Sequence, residues 1–257
     1  MDALTTFVIN LDRAPDRLLR ITQQLQRVGL PFVRITAVDA RAFTPEQQAA
    51  LDVPNYRRKH GMEPLAGELG CYLSHVEAMR RLLASDAAYA LVLEDDVIVT
   101  DRLPAALAGL IAQPTRWDMV KLSAVHSGTP IRVLQVAPGQ QLAVMLSRCT
   151  GSSAYVVNRR AATAYLHGQH GQHGLLPMSL PYDHVFDQGW RFGLKVRLLT
   201  PTPCEHDEQT PSTIGTPAGP SRKFHWTRRW PTYAYRISNE WRRLMYGLAH
   251  TWRERSG

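Results

Sequence analysis

Apolar positions along this chain switch between two periods. Leu4 and the run Phe7–Ile9 sit in ALTTFVIN, which reads as a first strand, and from Pro15 onward Leu18, Ile21, Leu25 and Val28 recur every three or four residues, the period of a helix. PFVRITAV reads as a second strand, so the chain opens strand, helix, strand. Residues 40–65 show no period and contain Pro45, Pro54, Gly61 and Pro64, which predicts mostly loop. Leu69, Leu73, Val76 and Leu83 mark one face of a helix over 68–83. A strand AYALVLED, a helix LPAALAGLIA and a short strand DMVKLS follow, and that alternation implies a largely parallel sheet with helices packed on it. Beyond it, IRVLQVA, QLAVML and SAYVVN read as short strands, RRAATAYLHG as a helix, PYDHVFDQGWRFG as a helix starting at Pro181, and LKVRLLTP as the last strand. Residues 205–221 are polar and rich in Pro, Gly, Ser and Thr, the composition of a mobile loop or linker.

Length and composition narrow the class. With 257 residues and 44% hydrophobic content, the chain has room for one large α/β domain or two small ones around an ordinary core. The apolar run at the N-terminus has no basic leader and is followed at once by Asp12, Arg13 and Asp16, and no apolar stretch approaches the roughly 20 residues of a membrane span, so a cytoplasmic protein is expected. Cys71, Cys149 and Cys204 are far apart and form no CxxC pair, which favours reduced structural thiols over disulfides or a cysteine zinc site.

Charge divides the chain. Residues 221–257 hold nine Lys or Arg against Glu240 and Glu254, a net +7 of the total +8, which leaves +1 for residues 1–220. The expected organisation is a globular domain over 1–220 and a basic, aromatic-rich helical tail over 221–257. In that tail Tyr233, Ile237, Trp241, Leu244, Leu248 and Trp252 recur at helical spacing, while Arg236, Arg242, Arg243 and Arg253 lie mainly elsewhere around the helix. Such a basic amphipathic helix suits an anionic membrane surface. A helix docked on the protein's own core is the other reading.

The chemistry concentrates in LVLEDDVIVT, where Glu94, Asp95 and Asp96 lie between two apolar runs and need a neutralising partner. Alternation along an extended chain points Glu94 and Asp96 one way and Asp95 the other. Two carboxylates at the carboxyl end of a strand suit Mg²⁺ or Mn²⁺ with a nucleotide diphosphate; an exposed acidic turn is the plainer alternative. Asn10, Leu11, Arg13 and Arg17 lie where the first strand gives way to a helix, the usual place of a nucleotide, and Asp39 ends the second strand, where it would accept from ribose or uracil. Ser74 and His75 flank the apolar stripe of the 68–83 helix, and Lys121 ends DMVKLS, from where it would offset diphosphate charge or stand as a surface lysine. Asp183 and Asp187 are four apart on one predicted helix face. Asp183, near the helix N-terminus with its pKa lowered, would serve as a base for an attacking hydroxyl or as a cap.

The segments FVINLDRAPDR, ITAVDA, GELGCYLSHVEAMRRLL, LVLEDDVIV, WDMVKLS, GSSAYVVNRRAA and PYDHVFDQGWRFGLKV follow one another in an order and spacing that resembles glycosyltransferase family 25, from about residue 5 to about residue 215, with the basic tail uncovered. The resemblance implies a GT-A-like nucleotide-sugar-binding α/β fold with a mostly parallel central sheet, its acidic motif in the DxD role. Asp96 becomes the first choice as metal ligand, with Glu94 on the metal or the donor ribose, Asp95 third, and His206 completing the shell of a Mn²⁺ or Mg²⁺ ion. Asn10, Leu11, Arg13, Arg17, Asp39, Ser74, His75 and Lys121 become donor-site candidates, and Asp183 the base of an inverting transfer. The implied enzyme is peripheral on the inner face of the cytoplasmic membrane. It moves a hexose, galactose from UDP-galactose, onto a core sugar of a lipid-linked lipopolysaccharide or lipooligosaccharide. A nucleotidyltransferase or phosphohydrolase using the same carboxylates is the first rival, and a non-enzymatic basic protein of membrane surfaces or nucleic acids the second. No nucleic-acid-binding motif supports the latter.

Overall fold

The computed structural model describes residues 3–169, 171–207 and 223–256. It opens with β1 (Leu4–Asn10), α1 (Pro15–Arg27) and β2 (Val33–Thr36), as the periodicity predicts, and Ile21 and Leu25 of α1 are fully buried. The segment expected to be mostly loop instead contains α2 (Pro45–Ala49) and α3 (Val53–His60). Its prolines start helices: Pro45 and Pro54 occupy first-turn positions, where the missing N–H costs nothing. Thr44 and Gln47 form a capping box, Asp52 caps α3, and Gly61 ends it in the left-handed conformation at φ 74°. Helices of five and eight residues are too short to show a period.

The chain continues through α4 (Ala66–Ala84), β3 (Tyr89–Glu94), β4 (Val97–Val99), α5 (Leu103–Ile111), β5 (Met119–Lys121), β6 (Pro130–Ala137), β7 (Gln140–Met145), β8 (Ala154–Asn158) and α6 (Arg159–His167). The helix expected from Pro181 is two pieces, α7 (Tyr182–Phe186) and α8 (Gly189–Phe192), interrupted where the Asp187 side chain turns inward. Next come β9 (Val196–Thr200), β10 (Cys204–His206), a 3-10 turn over Trp226–Arg229 and α9 (Trp230–Ser256). Most of the expected 205–221 loop lies outside the described residues.

Eight strands form one sheet in the order β2-β1-β3-β8-β5-β9-β7-β6, and β10 pairs with β4 beside it. The β2-β1-β3 edge is parallel, as is β5 with β9, but β8 runs antiparallel to both its neighbours, as does β7. The sheet is therefore mixed rather than mostly parallel. β6 and β7 are joined by a two-residue turn that can only reverse direction, with Gly139 at φ 68°.

Strand alternation splits the core into two layers. Ile9 and Val92 face α4, α6 and α7, while their neighbours Val8, Leu91 and Leu93 face α1 and α5. Ile9 pairs with Glu94, so Asn10 and the acidic turn stand together at the carboxyl edge of the parallel strands.

The α9 helix docks with an unusual choice of face. Thr232, Arg243 and Gly247 are buried, whereas Trp230, Ile237, Trp241, Met245, Leu248 and Trp252 point to solvent, Ile237 at 72% and Trp252 at 70% exposure. The inner face is held by charge: Arg243 pairs with Asp187 at 2.9 Å, and Glu254 with Arg197 at 2.9 Å and Arg116 at 2.7 Å. All three cysteines are free.

Candidate functional site

The three carboxylates of the β3–β4 turn meet three different environments. Glu94 points to the α4 side, where the Tyr182 hydroxyl donates to its Oε1 and His75 Nε2 lies 3.5 Å away. Asp95 points to the α1 side and accepts from Asn10 Nδ2 at 2.6 Å and Arg17 Nη1 at 2.9 Å. Asp96 has only the outer reach of Arg17, at 3.8 Å from Oδ2, and its buried Oδ1 makes no hydrogen bond among the described residues. Arg17 thus supplies part of the neutralisation, one guanidinium for three carboxylates.

The titration behaviour follows from this imbalance. Burial would raise the pKa of Glu94, but hydrogen bonding and charge from His75, with Tyr182 and His206, outweigh it and leave the group lowered. Burial first, then the Glu94 charge, pushes Asp96 up to about 6 against the pull of Arg17 and His206. Burial also raises Asp95, opposed by Asn10 and Arg17. A buried carboxylate oxygen with no donor and a raised pKa is a place where a cation fits. The donor set is hard oxygen from Asp96 and Glu94, with His206 brought alongside because β10 pairs with β4, His206 opposite Val97. Cys71, His75 and Glu94 also bring ligand atoms within 4.8 Å of one another. That group is a poor cage: burial and three nearby carboxylates hold the thiol well above its ordinary pKa, and the other ring nitrogen of His75 meets Tyr155 Oη at 3.0 Å.

Beside the carboxylates a 60 Å³ pocket, room for part of a nucleotide, is lined by Leu11, Arg17, Ser74, Glu94 and Asp95 among others. Ser74 and His75 belong to its supporting wall rather than its surface chemistry. Both are fully buried; the Ser74 hydroxyl accepts from Val38 N at 2.9 Å and donates to Gly70 O at 2.7 Å, and the His75 ring stacks on Tyr182 at 3.9 Å. Asn10 holds the acidic turn to β1 and also accepts from Arg34 at 3.0 Å. Arg13 and Asp39 pair with each other at 3.2 Å on the exposed surface, and Arg41, the largest influence, with Arg13 holds Asp39 far below the usual carboxylate range.

Lys121 corrects the expectation of a lysine facing diphosphate. It is fully buried, and Nζ donates to Cys149 O at 2.6 Å. It joins a clamp on residues 149–151, in which Asp187 accepts from Cys149 N at 3.1 Å and Asp183 from Gly151 N at 3.0 Å. Asp187 is spent on this clamp and on Arg243, so it does not share an open face with Asp183. Asp183 is half-buried, and its charge is felt by Cys71 together with those of Glu94 and Asp96. Burial would raise its pKa, but His184, Lys121 and two backbone N–H groups outweigh that and keep it lowered, hence ionised at neutral pH.

The sequence profile of glycosyltransferase family 25 (LPS biosynthesis protein) matches residues 3–168. The chain belongs to that family. Human procollagen galactosyltransferase 2 is 36% identical over 95 residues, which cover 35% of this chain and 15% of the relative. A probable inactive glycosyltransferase 25 family member 3 of Rattus norvegicus is 32% identical over 124 residues, 45% of this chain and 22% of the relative. The chain thus spans under a quarter of the length of either. The crystal structure of a glycosyltransferase involved in the glycosylation of the major capsid of PBCV-1 covers 91% of this chain and 99% of its own at 9% identity and a TM-score of 0.41, too loose a likeness to bear on function. The family match includes the acidic turn and the pocket but ends before Asp183 and His206.

Three residues of the site escaped the periodicity argument. Tyr182 bonds Glu94 and stacks on His75, and Gly67 and Cys71 line the pocket. A signal was present: Gly67, Gly70, Cys71 and Ser74 form a stripe of small residues on one helical face. Gly70 shows its purpose, since a Cβ there would stand 2.5 Å from Val38 O, so α4 approaches the end of β2 backbone to backbone.

Proposed function

We propose that the chain is a metal-dependent, GT-A-like glycosyltransferase that moves a hexose, galactose from UDP-galactose, with inversion onto a core sugar of lipopolysaccharide or lipooligosaccharide. The observation that carries this reading is the orphaned Asp96 Oδ1 beside charged Glu94, next to the pocket at the carboxyl edge of the parallel strands. Galactose is supported by the names of curated relatives, and the acceptor by the description of the family. Asp96 and Glu94, with His206, would hold Mn²⁺ or Mg²⁺; when bound, that ion stabilises the charge developing on the departing diphosphate. Leu11 and Arg17 line the pocket for the nucleotide. Ionised Asp183 takes the proton of the acceptor hydroxyl as its oxygen bonds to the anomeric carbon and the bond from that carbon to UDP breaks. Tyr182, on the same short helix, fixes Glu94 relative to the base.

With UDP-galactose and Mn²⁺, Asp183→Asn should bind UDP as the parent does but turn over about 10² to 10⁴ times more slowly. Turnover within about threefold of the parent at saturating substrates would remove Asp183 from the role of base. Chelator should abolish UDP binding; UDP binding that ignores chelator would refute the metal.

The reading includes a place at the cytoplasmic face of the membrane. No helix among the described residues is long and apolar enough to cross a membrane. The outward stripe of α9 places three Trp at helical spacing, with Arg242 and Arg253 exposed on the same helix. Indoles at headgroup level and arginines on anionic lipid would hold the enzyme where a lipid-linked acceptor is presented. Deleting the helix is a poor test, because Asp187 and Arg197 would lose their charge partners. Trp241→Glu combined with Trp252→Glu keeps the inner face and should abolish sedimentation with anionic vesicles while leaving transfer to a soluble acceptor intact. Unchanged sedimentation would rule the stripe out.

A further inference from the structure

Away from the acidic pocket, a groove between α3, α8 and α9 gathers like charge. Its narrow part is lined by Lys59, Arg148, His184 and Arg236, and an adjoining cavity of 620 Å³ by Lys59, Trp190, Arg191 and Arg242; Gln188, Tyr235 and Asn239 border both. None of Lys59, Arg148, Arg191, Arg236 and Arg242 pairs with a carboxylate among the described residues. The acids nearby are already engaged: Asp52 accepts from Asn55 at 2.6 Å, and Glu240, which itself lines the narrow part, pairs with Arg243 of the same lining at 2.5 Å. The cations feel one another. Burial first, then Arg191 and Arg58, pushes Lys59 down to about 8, and burial with Arg229 and Arg148 lowers Arg236. Like charges gathered in a concavity raise the free energy of the empty site, and an anion relieves it.

The other lining groups narrow the anion's chemistry. Tyr235 and Trp190 offer ring surface and Asn239 an amide, the set that a sugar's CH face and hydroxyls require, while buried Gln188 donates to Tyr235 Oη at 2.9 Å and fixes that ring. Position adds to this. α7 is the wall common to both sites: Tyr182 reaches Glu94 on one side, and His184 lines the groove on the other, with Asp183 between them in sequence.

We propose that this groove binds a saccharide through an anionic substituent, a phosphate ester or carboxylate, and that this saccharide is part of the acceptor. The role as acceptor rests on the transfer reading above; the site for a sugar-borne anion does not.

Calorimetric titration of the full chain at fixed ionic strength tests it with glucose 6-phosphate, glucuronate, glucose, glycerol 3-phosphate and inorganic phosphate as probes. Glucose 6-phosphate or glucuronate should bind at least about tenfold more tightly than glucose, glycerol 3-phosphate or inorganic phosphate, as expected when charge-assisted bonds add to sugar contacts. Lys59→Gln and Arg242→Gln should each weaken that binding about tenfold while melting temperature and Mn²⁺-dependent UDP binding stay at parental values. Equal affinity for glycerol 3-phosphate or inorganic phosphate would overturn the saccharide, unchanged affinity in both variants would overturn the location, and displacement by UDP would assign the groove to the donor. A parent that binds UDP with Mn²⁺ but no acidic sugar refutes this site alone. One that binds the acidic sugar but no UDP refutes the transfer reading instead.

Discussion

Two clusters of buried charge in this molecule are built on different plans. Around the inner face of α9, three carboxylates, Asp187, Glu240 and Glu254, meet three guanidiniums, Arg243, Arg197 and Arg116. At the β3–β4 turn, three carboxylates meet one guanidinium, that of Arg17, among the described residues, and one buried oxygen has no donor among them. The first cluster balances in formal charge and joins α9 to the rest of the fold, although Nε of Arg116, Arg197 and Arg243 and Nη1 of Arg243 make no hydrogen bond among the described residues. The unbalanced one keeps surplus negative charge that folding alone does not neutralise. Buried charge by itself therefore says little about function; the residual after pairing says more.

Substitutions on the two sides should separate the plans. Arg243→Met leaves Asp187 buried without its guanidinium and should cost about 3–5 kcal/mol, read from urea unfolding; a loss under about 1 kcal/mol would mean that α9 is only loosely held. Asp96→Asn should do the opposite, keeping stability within about 1 kcal/mol of the parent while Mn²⁺-dependent UDP binding falls at least 10- to 100-fold, the cost of losing even an outer-shell partner of a metal. Parental affinity in that variant would take Asp96 out of the site.

The mildest perturbation is pH. The folded pKa of Asp96, about 6, lies above its ordinary value of 3.8, so the folded state binds the proton more tightly than the unfolded one. Its contribution, measured with chelator present, should favour folding increasingly as pH falls from above 6 toward 4, and Asp96→Asn should flatten that part of the profile. Metal competes with the same proton, so Mn²⁺ affinity should rise through about pH 6 by up to about tenfold per unit below it. A Mn²⁺ affinity flat between pH 5 and 7 would contradict the assignment.

Much of the first hundred residues was legible because long elements carry their own period. α1 and α4 span 13 and 19 residues, enough for the apolar face to repeat, and the acidic turn stood out as charge inside an apolar run. Short elements were not. α2 and α3 are too short to show a period and were signalled only by their local caps, Thr44 with Gln47 and Asp52 with Asn55, while the α7–α8 break rests on the inward turn of Asp187, whose backbone partner lies 38 residues away. The same limit explains Lys121, whose acceptor lies 28 residues away, and Tyr182, whose partner lies 88 away.

The sequence by itself determined the periods, the placement of acidic residues at a strand end, the apolar and cationic composition of the tail, and the family. Only the tertiary structure decided which carboxylate lacked a partner, which lysine was buried, and which face of α9 turned inward. Amphipathicity sets two faces apart but not their destinations. The polar face turned inward because Asp187, Arg197 and Arg116, from three separate segments, converge beneath it and pair with Arg243 and Glu254. Pairing across such distances in sequence depends on the whole fold, and it left the indoles to face solvent.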